Sequence, residues 1–197
     1  MPIDGNEIAR RLRQARDELE QRVRELSTVN RVGRAMRTSL DLDALLDTIY
    51  LQVAHVLGVR NMYIALYDLD KDTISYPLAM RNGKREHWPS RPKAKRLTDW
   101  VIGTRSPLLI PYDVKASLKR MGMEDEGARP EAWLGVPLLA ADRALGCLAV
   151  FATDPGETFR QEALNLLSTI GTQASVAVEN AELYGEPRRR AAALATR

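Results

Sequence analysis

Three aspartates at alternate positions, Asp68, Asp70 and Asp72, form the first group whose spacing could do chemistry. Alternating carboxylates begin a calcium loop, but such a loop needs glycine at its sixth place and glutamate at its twelfth. Thr73 and Ala79 stand there, so a solvated hairpin turn is the plainer account. His55 and His87 are the only histidines and Cys147 is the only cysteine. Together they give no zinc spacing. His55 falls late in a helix, where a cation suits the dipole. His87, in a polar stretch, could ligate a haem iron, although a solvated histidine explains it as well. Cys147 sits in an apolar run, where a thiol is more often a small core residue than a nucleophile. No glycine-rich phosphate loop and no nucleophile–base arrangement stands out.

The segment from Arg81 to Arg96 holds seven Lys/Arg and one carboxylate, Glu86. Such a cluster either draws an anionic ligand into a pocket or forms a solvated lid, and the lid is the plainer reading. His87-Trp88 and Trp100 offer aromatic walls of the kind that small-molecule pockets use. The net charge of +3 over 197 residues is too small to argue nucleic-acid binding without a focused basic face. One cysteine excludes an internal disulfide framework and fits a reducing cytoplasm. No apolar signal core opens the chain and no uncharged apolar run approaches about 18 residues, so neither a signal peptide nor a membrane span is expected.

The elements that must position these residues follow from periodicity. From Asn6 to about Leu40 the chain lacks proline and is rich in Arg, Glu and Leu. A seven-residue repeat places Ile8, Ala15, Arg22, Val29 and Met36 at one seam position and Leu12, Leu19, Leu26, Gly33 and Leu40 at the other. All but Arg22 and Gly33 are apolar, which points to a coiled-coil helix that pairs two chains. The alternative is an amphipathic helix lying on its own domain. Ser39 is a good N-cap for a second helix running from Asp41 to about Leu57, which Gly58 would stop.

Two β-rich runs, Asn61–Asp68 and Thr73–Arg81, read as a hairpin, with Pro77 marking the second as an edge or bulged strand. Residues 82–96 read as loop, 97–104 and 114–121 as short helices, and 107–112 as a short strand. Trp133–Ala140 and Ala144–Ala152 are continuously apolar strands, hence central and buried on both faces. A final helix capped by Thr158 carries Phe159, Ala163, Leu166, Leu167, Ile170, Ala174, Ala177, Ala181 and Tyr184, and should end near Gly185 and Pro187.

Five stretches in this order resemble the GAF family of sensory domains: Ser39-Leu-Asp-Leu-Asp-Ala-Leu-Leu46, Met62-Tyr-Ile-Ala-Leu-Tyr-Asp68, Leu97-Thr-Asp-Trp-Val-Ile102 before Pro107-Leu-Leu-Ile110, Trp133-Leu-Gly-Val-Pro-Leu138 with Leu145-Gly-Cys-Leu-Ala-Val150, and Ala174-Ser-Val-Ala-Val-Glu-Asn-Ala-Glu-Leu-Tyr184. The resemblance implies an α+β fold. An antiparallel sheet of five or six strands would carry the N- and C-terminal helices on one face and a loop-covered cavity on the other. The division expected is a coiled-coil-like helix over 1–38, the GAF domain over 39–184, and a basic tail or linker to a further domain over 185–197.

The resemblance also implies a regulatory module without catalysis of its own, in a cytoplasmic signalling protein such as a sensor histidine kinase of a two-component system. Bilin-carrying relatives attach pigment through a cysteine in the loop region, and none is there. Sulfoxide-reducing relatives need several cysteines, and the cyclic-nucleotide pattern is not found. Neither bilin nor zinc is expected, and no cofactor can be named. Cavity candidates are Tyr63, Tyr76, Leu78, Trp100, Trp133, Val136, Ala149 and Phe151. The dimer interface is expected at Ile8, Leu12, Ala15, Leu19, Leu26 and Val29. The partners expected are a second copy and a small molecule, with neither nucleic acid nor membrane insertion. The competing functions are a purely structural dimerisation module and a small enzyme of the same fold.

Overall fold

The computed structural model describes residues 42–124, 130–141 and 143–194. The chain divides into units Met1–Leu40 and Asp41–Arg197, and the described residues all belong to the second. The heptad seam, its interface residues and the Ser39 cap lie outside the described residues.

Helix α1 (Leu42–Leu57) buries Leu46, Ile49 and Val53, one stripe at helical spacing. Gly58 ends it in the left-handed conformation, φ 67°, with its N–H on the Ala54 carbonyl at 2.9 Å. Six strands follow: β1 (Met62–Asp68), β2 (Thr73–Arg81), β3 (Lys84–Pro92), β4 (Leu108–Ile110), β5 (Ala132–Leu139) and β6 (Ala144–Ala152). Helix α2 (Leu97–Thr104) precedes β4 and α3 (Val114–Met121) follows it. Helix α4 (Gln161–Leu194) comes last.

The sheet order is β3-β2-β1-β6-β5-β4, antiparallel throughout. Strand alternation sorts the side chains into two cores. Behind the sheet, Ile64, Leu134, Leu148 and Val150 pack with Leu46 and Val53 of α1 and Leu167, Ile170, Ala174 and Val178 of α4. In front, Tyr63, Ala65, Trp133, Cys147, Ala149 and Phe151 pack under Leu97, Val101 and Ile102 of α2 and Val114 and Leu118 of α3. Each fully buried Leu, Ile or Val contributes about 1.5–3 kcal/mol. Gly146 lies where β6 crosses β1 so closely that a Cβ would overlap the Ala65 carbonyl oxygen. The apolar strands β5 and β6 are inside the sheet, as their composition predicts.

Two expectations need correction. The segment expected as loop is largely a strand, β3. Asn82 and Gly83 both have positive φ, 52° and 76°, and make a two-residue hairpin turn that the Asn-Gly pair prescribes. Buried Asn61 holds this turn by accepting the Asn82 N–H at 2.7 Å. As an edge strand β3 needs no apolar alternation, and its charges suit an edge. The last helix starts at Gln161, with Thr158 donating to the Pro111 carbonyl at 2.6 Å, and does not stop at Gly185 or Pro187. Proline costs a helix about 3 kcal/mol, but the Arg- and Ala-rich run after it has high helix propensity. Pro77 is in a bulge, as expected, but β2 is not at the edge, since β3 flanks it.

Candidate ligand cavity

The front core opens into a cavity of about 340 Å³. Its floor is Tyr63 of β1, Trp133 of β5 and Phe151 of β6, and its side wall is Tyr76 of β2 and Trp88 of β3. Leu97 and Thr98 of α2 and Val114 and Leu118 of α3 form the roof, with Arg81, Arg96, Glu124, Pro130 and Thr153 around it.

The aromatic residues touch one another. Tyr63 lies 5.3 Å from Trp88, 5.8 Å from Tyr76 and 6.3 Å from Phe151, centroid to centroid. Trp88 closes the group at 5.5 Å from Tyr76 and 6.4 Å from Phe151. Such contacts prefer tilted or edge-on geometry, as found here. The Tyr63 hydroxyl accepts from the Trp133 indole N–H at 3.2 Å and is hydrogen-bonded to the Thr98 hydroxyl at 2.8 Å, where either oxygen can donate. Burial pushes this phenol well above its usual range, so it stays neutral.

The cations of the 81–96 segment have separate assignments. Arg81 lies 5.8 Å over both the Trp88 and Phe151 rings, and its Nε donates to Glu86 at 3.2 Å. Glu86 also accepts the Trp88 indole N–H at 2.8 Å. That bond, followed by the charge of Arg81, holds the Glu86 carboxyl below its usual range. Arg85 points to the other face and reaches Asp43 at 2.7 Å and Asp47 at 3.3 Å on α1. Arg91 forms a two-pronged pair with Asp99, at 3.0 and 2.6 Å, and donates to the Tyr76 hydroxyl at 2.9 Å. Asp99 further accepts the Ala94 N–H at 2.7 Å. Burial alone would lower the Arg91 pKa, but the Asp99 bonds and Tyr76 outweigh it and raise it. This clamp ties the end of β3 to the roof helix α2.

Of the expected cavity residues, Tyr63, Tyr76, Trp133 and Phe151 line the cavity. Ala149 belongs to the core beneath it, and Trp100 packs against that core without lining the space. Leu78 and Val136 are on the opposite, helix-covered face and are corrected. Val136 is an odd number of residues from Trp133, so a regular strand turns it away; its Cγ2 would meet a Cβ on Gly171 of α4 at 2.8 Å. Leu78 is two residues from Tyr76, but the bulge at Pro77 reverses the facing between them.

Trp88 was legible as an aromatic wall and Arg81 as one end of the basic segment, whereas Thr98, Val114 and Leu118 were not singled out. The Asn-Gly turn was the available signal for Arg81 and Trp88, because it sets the register that brings Trp88 opposite Tyr76.

The other chemical candidates have structural partners. Asp68 accepts the N–H groups of Asp70 and Lys71, both at 3.1 Å, and the Lys71 ammonium at 2.8 Å, closing the hairpin turn. Cys147 is buried in the front core, where burial, then the charge of Asp99, pushes its thiol up. His87 is exposed on β3. Among the described residues no group of three or more His, Cys, Asp or Glu is placed to hold a metal, and no helix is long and apolar enough to cross a membrane.

The fold is thus an antiparallel sheet backed by helices, with a roofed aromatic cavity in front. Residues 39–179 match the GAF domain family. The chain belongs to that family, whose members are sensory and regulatory domains. Solved structures agree in fold. The GAF domain of an Acinetobacter phosphoenolpyruvate-protein phosphotransferase superposes with a TM-score of 0.61 at 22% identity, covering 81% of this chain and 95% of that one. The GAF domain of a two-component sensor histidine kinase from Bacillus halodurans gives 0.60 at 14% identity, covering 74% and 99%. The second GAF domain of DevS from Mycobacterium smegmatis gives 0.58 at 16% identity, covering 76% and 99%. No curated protein matches the chain by sequence.

Proposed function

We propose that this chain is a non-catalytic cytoplasmic sensory domain that takes a small molecule into the front cavity and relays its occupancy through paired helices to an output domain such as a histidine kinase. The carrying observation is the cavity itself: about 340 Å³, walled by five aromatic residues. That volume falls within the usual range for ligand pockets. The relay reading is supported by the sheet, which is one layer thick. Strands β1, β5 and β6 carry the cavity floor on one face and the packing of α1 and α4 on the other. Leu51 of α1 and Leu166 and Val176 of α4 are exposed apolar residues, which suits a second copy lying on the helix layer. Two paired helices are a bistable element that ligand binding can bias. A purely structural dimerisation module would need a cavity filled by its own side chains, and the open volume argues against it.

The test is native mass spectrometry and thermal shift of the full chain against nucleotides, tetrapyrroles and central metabolites. At least one compound should bind with 1:1 stoichiometry per chain and raise the melting temperature. If none binds, the sensing half of the proposal fails and the structural reading replaces it.

A further inference from the structure

We propose that the cavity selects a small flat aromatic molecule bearing one anionic group, a carboxylate or a phosphate, with the anion held at Arg81 and the ring held against Trp88, Phe151 and Tyr63. This inference rests on the ligand-binding reading above and names the chemistry of the ligand. Aromatic boxes most often receive cations, through attraction to the ring faces. Here that place is taken: the Arg81 guanidinium already lies over both Trp88 and Phe151. A second cation entering the cavity would meet like charge, whereas an anion meets a guanidinium held at a fixed height above two rings.

Arg81 has capacity for such a ligand. Its Nε–H is engaged by Glu86, and a guanidinium carries five N–H donors in a planar fork suited to carboxylate or phosphate. The charged residues lining the cavity are Arg81, Arg96 and Glu124, two cations against one carboxylate. Each lining arginine has one carboxylate beside it, Arg96 with Glu124 at 3.6 Å and Arg81 with Glu86 at 3.2 Å, so the attraction of an anion rests on the remaining N–H donors of Arg81 and not on a surplus of charge. The size agrees as well. A volume of about 340 Å³ corresponds to roughly ten waters of the liquid, room for one or two fused rings with a short acidic arm. The rings of Tyr63, Trp88 and Phe151 lie 5.3–6.4 Å apart and touch one another, so they form one continuous aromatic wall against which a flat ring is received, with no ring inserted between them.

Isothermal titration of the full chain with four matched probes tests this: 1-naphthaleneacetate, its neutral amide, 1-naphthylmethylamine and cyclohexaneacetate. The naphthalene acid should bind best, with the amide about tenfold weaker and the amine weaker still, the loss expected for a missing charged hydrogen bond. Cyclohexaneacetate should be weaker than the naphthalene acid because it cannot stack. Arg81→Gln should weaken the acid about tenfold and leave the amide unchanged, while Arg81→Lys should keep part of the preference. Should Arg81→Gln fail to fold, the salt dependence of the unaltered chain serves: added sodium chloride should weaken the acid and not the amide. Amide or amine binding as tightly as the acid overturns the anion selection and leaves the sensory reading intact. Binding of none of the four overturns this inference, while hits in the broader ligand panel would still sustain the sensory reading.

Discussion

The indole of Trp133 folds back over the Cα of Gly135, two residues further along the same strand. A Cβ at position 135 would overlap the ring, with Cζ2 and Cζ3 both at 2.8 Å. Glycine there leaves room for the ring, whose N–H donates to Tyr63. Gly135→Val should therefore lift the indole off the cavity floor, break that hydrogen bond and destabilise the fold by about 1–3 kcal/mol. Urea denaturation with tryptophan emission reads both effects. An unshifted emission maximum with unchanged stability would count against this packing.

At Gly146 the obstruction is main chain. A side chain would strike the Ala65 carbonyl, which can move only if β1 and β6 separate. Gly146→Ala should cost more than the typical surface substitution, about 2 kcal/mol or above, or prevent folding. A variant as stable as the parent in urea would mean that the two strands are not so close.

Asp99 and Arg91 form a clamp with little exposure, 3% and 13% of their side chains. Asp99→Asn leaves the Arg91 charge poorly compensated and should destabilise by about 3 kcal/mol. Because Arg91 also holds the Tyr76 hydroxyl, faster amide exchange in α2 and β3 should accompany the loss. Hydrogen exchange confined elsewhere would contradict the clamp's role in holding the roof.

Burial raises the Cys147 thiol, and this has a pH signature. In the unfolded chain a thiol titrates near pH 8.5. Above that pH the unfolded state releases a proton that the native state keeps, so the stability is fully present below about pH 8.5 and declines as pH rises. Between pH 7.5 and 9.5 the parent should lose about 1 kcal/mol more than Cys147→Ala. Parallel pH profiles for the two proteins would exclude the effect. Thiol reagents should label Cys147 only as fast as the protein unfolds.

The proposed pairing of two chains would rest on the heptad seam that the sequence predicts. Replacing Ile8 and Leu19 together by Asp should leave a folded monomer in sedimentation velocity, since charges at two seam positions cannot be buried without partners. A dimer that survives both changes would place the interface on other surfaces, the exposed apolar residues of α1 and α4 among them.

Periodicity and punctuation alone determined much of this protein. The apolar runs at 133–140 and 144–152 announced central strands, the stripe from Leu46 to Val53 announced α1, and the order of motifs carried the family. These are properties of neighbours in sequence, governed by local propensity and by which faces must leave water. Tertiary structure decided what lies across space. The Pro77 bulge put Leu78 behind the sheet while Tyr76 stayed in front, and polar β3 became a strand because β2 offered it an edge and Asn82-Gly83 turned it back. The same hairpin divided one run of cations into three tasks, with Arg81 at the cavity, Arg85 on α1 and Arg91 on Asp99. A side chain's charge can be read from the sequence, but the face it occupies depends on register. Here one bulge and one two-residue turn set that register.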